Sequence, residues 1–345
     1  MRRILGSIAV CALFSGCSQG ASLNPQDSGA SVPLAVTHQT AVPEQPVNPK
    51  VRFFATPTEL SWPDYITKGS DGNLWFSEFY ADQVGRITPA GVITEFPLPQ
   101  LNDIEGIATG PDGNVWFTEP GENKVGKITT TGDVTAFPVA SNSSPRGIAA
   151  GPDGNVWFVE FNGNAIGRIT PDGAIKEFAI PQAESYPWWI TTGKDGDLWF
   201  TESATDDIVR FNPRTLKFAK PLHVPGNFVT PWGIMTAPDG HLWFTQRHSG
   251  DLSVVLGGKV KSFHIAKHTS YPDTIVTGPD GMLWFTENQT NAIGRLDPAT
   301  GTFRKSILLP VGDIPTGIAV GSDNNIWFTV ANYYQPNSIG EIVLH

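Results

Sequence analysis

Cysteine is nearly absent from this chain of 345 residues. Both cysteines, Cys11 and Cys17, lie near the N-terminus, so the rest of the chain offers no disulfide, thiolate nucleophile or cysteine-ligated metal site. Methionine, with 3 residues, and charged residues, at 16%, are also scarce, which favours many short strands over helices. No segment after residue 20 is long and apolar enough to cross a bilayer.

A basic surplus is also lacking, because the formal net charge is −10. An acidic chain repels phosphate backbones, and this excludes nucleic acid as a partner. The abundant residues are 36 Gly, 29 Pro and 11 Trp, which indicate many turns and an aromatic core. The glycines read as turn glycines, since none forms a phosphate-binding loop between a strand and a helix.

The N-terminus has the pattern of an export signal. Arg2 and Arg3 precede a short apolar run up to Phe14, and two small residues precede Cys17. This order is typical of a bacterial lipoprotein signal, and plain secretion is the alternative. We therefore expect residues 1–17 to be a signal peptide with Cys17 lipidated, and the protein to be exported to the cell envelope.

Residues 18–50 are rich in Ser, Gln, Pro, Gly and Ala and contain few large apolar side chains. Such a segment cannot bury enough surface to offset its ordering entropy, so it predicts a flexible tether. Membrane contact is expected through the lipid anchor only. The folded domain is expected to span residues 51–345.

A repeated motif, Asp-Gly-x-apolar-Trp-Phe, dominates that domain and predicts its fold. Successive copies lie 41 to 44 residues apart, and the last has Asp-Asn for Asp-Gly. The motif tryptophans are Trp75, Trp116, Trp157, Trp199, Trp243, Trp284 and Trp327. One unit, residues 144–181, contains four short strands that grow more polar outward, as in a propeller blade. The chain is expected to be an all-β, seven-bladed β-propeller and a monomer.

The two ends of the chain complement each other. Residues 339–344 match a third strand with no fourth after it, and residues 52–57 match a fourth strand with no unit of its own. We therefore predict that the N-terminal strand completes the last blade and closes the ring, which removes exposed sheet edges. An open stack of seven sheets is the alternative.

The run Gly-Pro-Asp-Gly-Asn-Val-Trp-Phe-Thr-Glu at residues 110–119, followed by residues 123–129, resembles the streptogramin (virginiamycin B) lyase family. The similarity covers all seven units, from residue 51 to 345. It implies a propeller that opens the ring of a cyclic depsipeptide antibiotic by elimination, with a magnesium ion.

The resemblance also assigns the family's two histidines and two glutamates to positions in this chain. Those positions carry Asp273, Ile314, Thr316 and Val330. Thr316 cannot act as a general base near neutral pH, and Ile314 and Val330 cannot bind a hard cation that needs oxygen ligands. We therefore expect the lyase chemistry to be absent, no metal site, and magnesium as a cofactor only if the activity is retained.

Residues that vary between blades are the candidates for a ligand site, because residues shared by all blades serve the scaffold. The first residue after the start of each innermost strand varies and should face the channel mouth. These candidates are Asp64, Glu105, Arg146, Trp188, Trp232, Asp273 and Thr316. Trp188 and Trp232, with Trp189 adjacent, either form an aromatic platform or pack between blades. Arg146 is expected to pair with a carboxylate, either a ligand's or that of Glu105.

Other polar residues are interpreted as structural. A glutamate follows five Trp-Phe strands, and each is expected to accept hydrogen bonds from a neighbouring blade rather than bind a metal; these are Glu78, Glu119, Glu160, Glu202 and Glu287. Histidines cluster in blade 5 without a known ligand spacing, which favours surface loops; these are His241, His248, His264 and His268. Tyr333 and Tyr334 are expected to edge the mouth.

Three functions stay open at this point. The first is a binding module for a small molecule, glycan or protein at the mouth. The second is an enzyme, either a lyase with relocated groups or a hydrolase that uses Asp64, Glu105 and Asp273 around a metal. The third is a purely structural role in the cell envelope. The fold alone does not choose among them, because propellers host many functions.

Overall fold

The computed structural model describes residues 49–98, 103–265 and 270–344, all within one compact unit, Thr40–His345. This part of the chain contains 29 strands and no α-helix. Consequently, no helix in it has the length and apolarity needed to cross a membrane. The expected signal peptide with Cys17, most of the tether and His268 lie outside the described residues. Lys50, expected in the tether, instead begins the first strand.

Blades 1 to 3 are four-stranded antiparallel sheets whose strands follow one another in sequence. Blade 1 consists of β2 to β5, at Pro63–Lys68, Leu74–Glu78, Gln83–Ile87 and Ile93–Pro97. Blade 2 consists of β6 to β9, at Ile107–Thr109, Val115–Glu119, Lys124–Ile128 and Val134–Pro138. Blade 3 consists of β10 to β13, at Pro145–Ala150, Val156–Glu160, Ala165–Ile169 and Ile175–Ala179.

Blades 4 to 6 repeat this plan, except that blade 4 has a divided outer edge. Blade 4 consists of β14 to β18, at Pro187–Thr192, Leu198–Glu202, Asp207–Asn212, Lys217–Phe218 and Leu222–His223. Blade 5 consists of β19 to β22, at Pro231–Thr236, Leu242–Gln246, Asp251–Leu256 and Lys259–His264. Blade 6 consists of β23 to β26, at Pro272–Thr277, Leu283–Glu287, Ala292–Asp297 and Thr302–Leu308.

Blade 7 joins the two ends of the described chain. Its first three strands are β27 to β29, at Ile314–Val320, Ile326–Ala331 and Ser338–Val343, and its fourth is β1, at Lys50–Ala55. Strand β1 pairs antiparallel with β29 over its whole length, from Lys50 opposite Val343 to Ala55 opposite Ser338. The predicted closure is therefore confirmed, and the alternative of an open stack is wrong.

The core lies between adjacent blades and is built by the Trp-Phe strand. In blade 1, for example, the buried ring of Trp75 stacks on Phe96 of the outer strand, with centroids 5.4 Å apart. The Phe76 ring lies over the third strand at Gly85, where a Cβ would come within 2.1 Å of it. The glycine between apolar residues in the third strand is therefore required by this ring.

Candidate ligand site at the channel mouth

A backbone irregularity directs the variable residues toward the channel. Six of the seven innermost strands carry a β-bulge just after their first proline, as between Pro145 and Ile148. A bulge inserts an extra residue and re-aims the side chains there. The prolines that precede the bulges are Pro63, Pro145, Pro187, Pro231, Pro272 and Pro315.

In blades 2, 4, 5, 6 and 7, a hydroxyl of the second strand bonds to the backbone of the next blade. In blade 5, the Thr245 hydroxyl accepts a hydrogen bond from Gly233 N at 2.9 Å and donates to the carbonyl oxygen of Asp273 at 2.7 Å. The corresponding hydroxyls of Thr118, Thr201, Thr286 and Thr329 donate to the carbonyls of Arg146, Trp232, Thr316 and Asp64. The Trp-Phe-Thr motif thereby positions the mouth residue of the following blade.

Two tryptophans and two arginines form a continuous stack in the mouth. The rings of Trp188 and Trp232 lie face to face, with centroids 3.7 Å apart and planes at 29°. The guanidinium of Arg146 lies 4.3 Å from the Trp188 centroid, and that of Arg247 lies 4.3 Å from the Trp232 centroid. Each indole therefore has one face against the other indole and one face under an arginine, a favourable cation–π arrangement.

Three carboxyl groups lie in the same recess as the two arginines. Arg146 forms the predicted ion pair with Glu105, with Nη1 and Oε2 2.5 Å apart. Burial raises the pKa of Asp64 well above its usual range, and the negative charges of Glu105 and Asp273 raise it further. Burial also raises the pKa of Asp273, whereas Arg247 opposes the rise at both aspartates.

Several buried polar atoms around Asp273 are left without partners. Asn288 Nδ2 donates to Asp273 Oδ2 at 3.2 Å, but Asp273 Oδ1 and Asn288 Oδ1 have no hydrogen-bond partner within the described residues. The indole nitrogens of Trp188 and Trp232 are likewise unpaired there. The Trp232 N–H lies close enough to lower the pKa of Asp273 without reaching hydrogen-bond geometry. Such orphaned groups are costly in a folded protein, which indicates that a ligand or water completes them.

A cross-channel contact forms the floor of the mouth. Tyr65 of blade 1 and Trp189 of blade 4 meet with ring centroids 4.4 Å apart. Trp189 therefore packs across the channel instead of joining Trp188 in a platform. Burial raises the pKa of the Tyr65 phenol, and Asp273, Asp64 and Glu105 raise it further. A cavity of about 180 Å³ is lined by this pair and by the inner strands.

Among the seven mouth candidates, Thr316 is the one whose side chain is bonded between two blades instead of facing the mouth. It is 5% exposed, and its hydroxyl lies 2.7 Å from the Asp64 carbonyl oxygen and 2.8 Å from the Thr329 hydroxyl. These contacts join blade 7 to blade 1. The other six candidates converge on the mouth, together with Arg247, Asn288 and Tyr65.

The four positions assigned by resemblance do not fit a magnesium ion. Val330 is 1% exposed and belongs to a hydrophobic cluster with Ile318 and Phe328. Ile314 offers no oxygen from its side chain, and the Thr316 hydroxyl is already bonded between blades. Asp273 alone supplies a carboxylate, whereas a hard cation needs several oxygen ligands. In the described residues, no group of three histidine, cysteine or carboxylate side chains is arranged to hold a metal.

The ring of glutamates differs from the expectation that neighbouring blades supply their partners. Thr205 donates to Glu202, and Thr290 and Ser306 donate to Glu287, all from the same blade as the acceptor. Thr205 and Thr290 lie in the loop after the second strand, which turns back over the end of that strand, and Ser306 lies on the outer strand β26. Glu78 is fully buried, and neither of its carboxyl oxygens has a hydrogen-bond partner within the described part of the chain.

The described histidines of blade 5 are dispersed, as expected for surface residues. His241 Nδ1 lies 2.8 Å from Asp239 at the end of the blade away from the mouth. His248 lies at the mouth end, with Nδ1 2.7 Å from the Thr230 hydroxyl. His264 pairs with Asp251 at the end of the outer strand.

A second aromatic group borders blades 1 and 7. Trp62 lies between Tyr80 and Tyr333, at centroid distances of 5.3 Å and 4.6 Å, and Tyr334 follows at 6.3 Å from Tyr333. The pKa of Tyr80 is raised by burial and then by Tyr333, Asp103 and Asp64, so this group adjoins the acidic side of the recess.

Sequence reasoning missed the arginine and amide that complete the mouth. Arg247 and Asn288 occupy the position directly after the repeat's Glu or Gln, which also varies between blades. That variation could have identified both residues, because the loop after the second strand begins at the end of the blade where the bulge of the innermost strand lies.

The fold and the mouth define a class: closed seven-bladed β-propellers whose variable inner residues converge on one recess. The model of the virginiamycin B lyase family matches residues 34–227 and 217–344. The chain belongs to the virginiamycin B lyase family. No protein of curated function matches it by sequence.

Solved structures agree with this assignment. A streptogramin B lyase is 32% identical with a TM-score of 0.82, and the alignment covers 88% of this chain and 100% of that chain. Virginiamycin B lyase from Staphylococcus aureus is 33% identical with a TM-score of 0.80, covering 86% and 99%. Hydrazine synthase from Kuenenia stuttgartiensis, at 16% identity and a TM-score of 0.68, shares the fold alone.

Proposed function

We propose that this chain is an exported binding protein that holds a small polar molecule at the channel mouth without turning it over. The observation that carries the proposal is the convergence of three carboxyl groups and two arginines on one recess that also contains unpaired polar atoms. Because arginines cover the outer faces of Trp188 and Trp232, a ligand meets the edges of these rings and the carboxyl groups. This favours a hydrogen-bonding ligand over a stacked ring.

A thermal-shift screen of amino acids, polyamines and monosaccharides tests the binding function. A ligand of the mouth should raise the melting temperature of the wild type, and the rise should increase with the logarithm of its concentration above the Kd. The effect should disappear in Asp273→Asn and in the double variant Trp188→Ala, Trp232→Ala. A ligand that stabilises all three proteins equally would contradict the proposed site.

The second candidate is a metal-dependent lyase of the family type or a hydrolase with a relocated site. Family membership favours it, because related structures are those of lyases. Incubation with quinupristin, the compound present in one structure of the Staphylococcus aureus enzyme, tests it by chromatography. We expect no conversion with magnesium or with a chelator. Ring opening to a linear product of unchanged mass would establish the lyase instead.

We further propose that Cys17 carries a lipid and that residues 18–49 hold the propeller away from a bacterial membrane. The support is the basic, apolar and small-residue order before Cys17. Cys17→Ser should move the protein from the membrane fraction to the soluble fraction. Cys11→Ser is the matched control and should stay in the membrane fraction; equal behaviour of both variants would contradict lipidation at Cys17.

A further inference from the structure

Five blades secure the motif tryptophan with one hydrogen bond at the end of the blade away from the mouth. The indole nitrogens of Trp75, Trp116, Trp157, Trp284 and Trp327 donate to the turn aspartate four residues earlier, at 3.0 to 3.2 Å. Within the described chain, Nε1 of Trp199 in blade 4 and of Trp243 in blade 5 has no partner. This pair of blades therefore departs from the repeat.

The environment of Trp199 differs more from that of the other motif tryptophans than the environment of Trp243 does. Trp243 is 3% exposed and keeps the usual stack with Phe263 of its outer strand, at a centroid distance of 5.5 Å. In blade 4 the outer-strand Phe218 instead contacts Phe211 and Phe200, because the outer edge is divided between β17 and β18. Trp199 is left partly exposed, whereas the equivalent Trp157 is fully buried.

Trp199 borders an open groove of about 620 Å³ between blades 4 and 5. This volume falls within the range of about 300 to 1,000 Å³ typical of small-molecule sites. Gly258 lines one side of the groove, and a Cβ at this position would meet no atom within 4 Å, so the space beside it is empty of protein atoms. Its polar lining consists of Lys194, Asp195, Arg210, Asp239 and His241.

Apart from Lys194, whose Nζ lies 3.5 Å from the backbone carbonyl oxygen of Asp239, the charged side chains of this groove are paired within the protein. Arg210 lies 3.5 Å from Asp197 and 3.9 Å from Asp195, and its guanidinium is 5.7 Å from the centroid of the Trp199 ring. His241 lies 2.8 Å from Asp239. A cationic ligand would have to break one of these pairs to reach a carboxylate, whereas a neutral ligand can hydrogen-bond to their remaining donors and acceptors.

We propose that the groove between blades 4 and 5 binds a neutral saccharide, with the sugar against the Trp199 indole and its hydroxyls bonded to the His241–Asp239 and Arg210–Asp195 pairs. A sugar combines an apolar face with hydroxyls that both donate and accept. The indole supplies the apolar surface, and the paired ionic groups supply fixed polar partners. The site lies at the end of the propeller opposite the mouth, so it is independent of the proposed mouth ligand.

Indole N–H signals in NMR spectra of the ¹⁵N-tryptophan-labelled protein test this proposal. The probes are maltose, cellobiose and N,N′-diacetylchitobiose, with glucosamine as the cationic comparator. The signal assigned to Trp199, by its loss in Trp199→Phe, should shift with increasing concentration of at least one neutral disaccharide. Glucosamine should shift it less at equal concentration.

Two histidine variants make the test specific. His241→Ala should weaken binding of the active disaccharide by about tenfold. His223→Ala is the matched control, because His223 forms a similar pair with Asp207, with the two atoms 3.0 Å apart, outside the groove. No shift of the Trp199 signal with any disaccharide, or equal binding by both variants, would overturn the proposal. A shift confined to Trp188 and Trp232 would overturn it too and place the sugar at the mouth.

Discussion

At the scale of single residues, the mouth depends on a threonine that contacts no ligand. Thr245 is fully buried, and its hydroxyl bonds both its own blade and the carbonyl of Asp273 in the next. A side chain that joins two blades in this way fixes where the following mouth residue stands. Blade 3 lacks this hydroxyl, because Val159 occupies the position equivalent to Thr245. The mouth residue of the following blade, Trp188, is therefore not held by such a hydroxyl.

Thr245→Val should therefore destabilise the protein by about 1–3 kcal/mol, because Gly233 N and the Asp273 carbonyl lose a buried partner. Urea unfolding followed by intrinsic fluorescence measures the difference. Thr245→Ser is the matched control, since it keeps the hydroxyl as Ser77 does in blade 1, where Ser77 accepts from Tyr65 N at 3.0 Å. A valine variant as stable as the serine variant would contradict this role.

At the scale of secondary-structure elements, closure of the ring depends on strand β1. Arg52 on this strand lies 3.3 Å from the buried Glu341, and the Phe54 ring stacks on Trp327 with centroids 5.6 Å apart. Without β1, the edge of β29 would be free to pair with another chain.

A truncation that removes residues 1–55 should unfold at a lower temperature and self-associate, as measured by thermal unfolding and size-exclusion chromatography. A truncation of residues 1–48 is the control and should behave as the longer chain does. Phe54→Ala, a milder change, should cost about 1–3 kcal/mol through lost burial and stacking. Equal melting temperatures for the two truncations would show that β1 is dispensable.

The pattern of these elements was largely accessible to sequence reasoning, because each blade repeats its turn residues and its Trp-Phe strand. The division of the outer edge of blade 4 was not predicted. Residues 213–221 contain no single apolar run, and the pairing of Leu222 with Ile208 depends on contacts across the sheet. The partners of Glu202 and Glu287 were also predicted wrongly, because they depend on how a loop folds back over its own strand.

At the scale of the whole molecule, four buried glutamates couple stability to pH. Burial raises the pKa of Glu78 to about 8 and of Glu119 to about 7. Burial also raises the pKa of Glu160 to about 8, with a further contribution from Glu177, and that of Glu202 to about 7. Between the ordinary value of 4.5 and these values, the folded protein binds more protons than the unfolded chain does.

The free energy of unfolding should therefore be greatest below the ordinary carboxyl pKa, as far as these groups contribute, and should fall as the pH rises from about 5 to about 8. Thermal unfolding across this pH range measures the effect. Glu160→Gln should reduce the fall and raise the melting temperature near pH 8, because an amide cannot ionise there. A melting temperature that does not change across the range would contradict the coupling.

Blade 5 offers a natural precedent for that variant. Gln246 stands at the repeat's glutamate position, donates to Ser262 at 3.1 Å and accepts from Ser249 at 2.8 Å. Glu59→Gln, at an exposed position, is the control and should leave the pH profile unchanged.

The sequence by itself determined the number of blades, the closing strand and the family, because these follow from a local motif repeated at near-constant spacing. A regular repeat also makes the variable positions visible, and six of the seven chosen in this way lie together in one recess. The tertiary structure alone decided that arginines cover the outer faces of Trp188 and Trp232, that Trp189 meets Tyr65 across the channel, and that Trp199 borders a groove. These contacts join residues far apart in the chain, and their geometry depends on how whole blades pack around the ring.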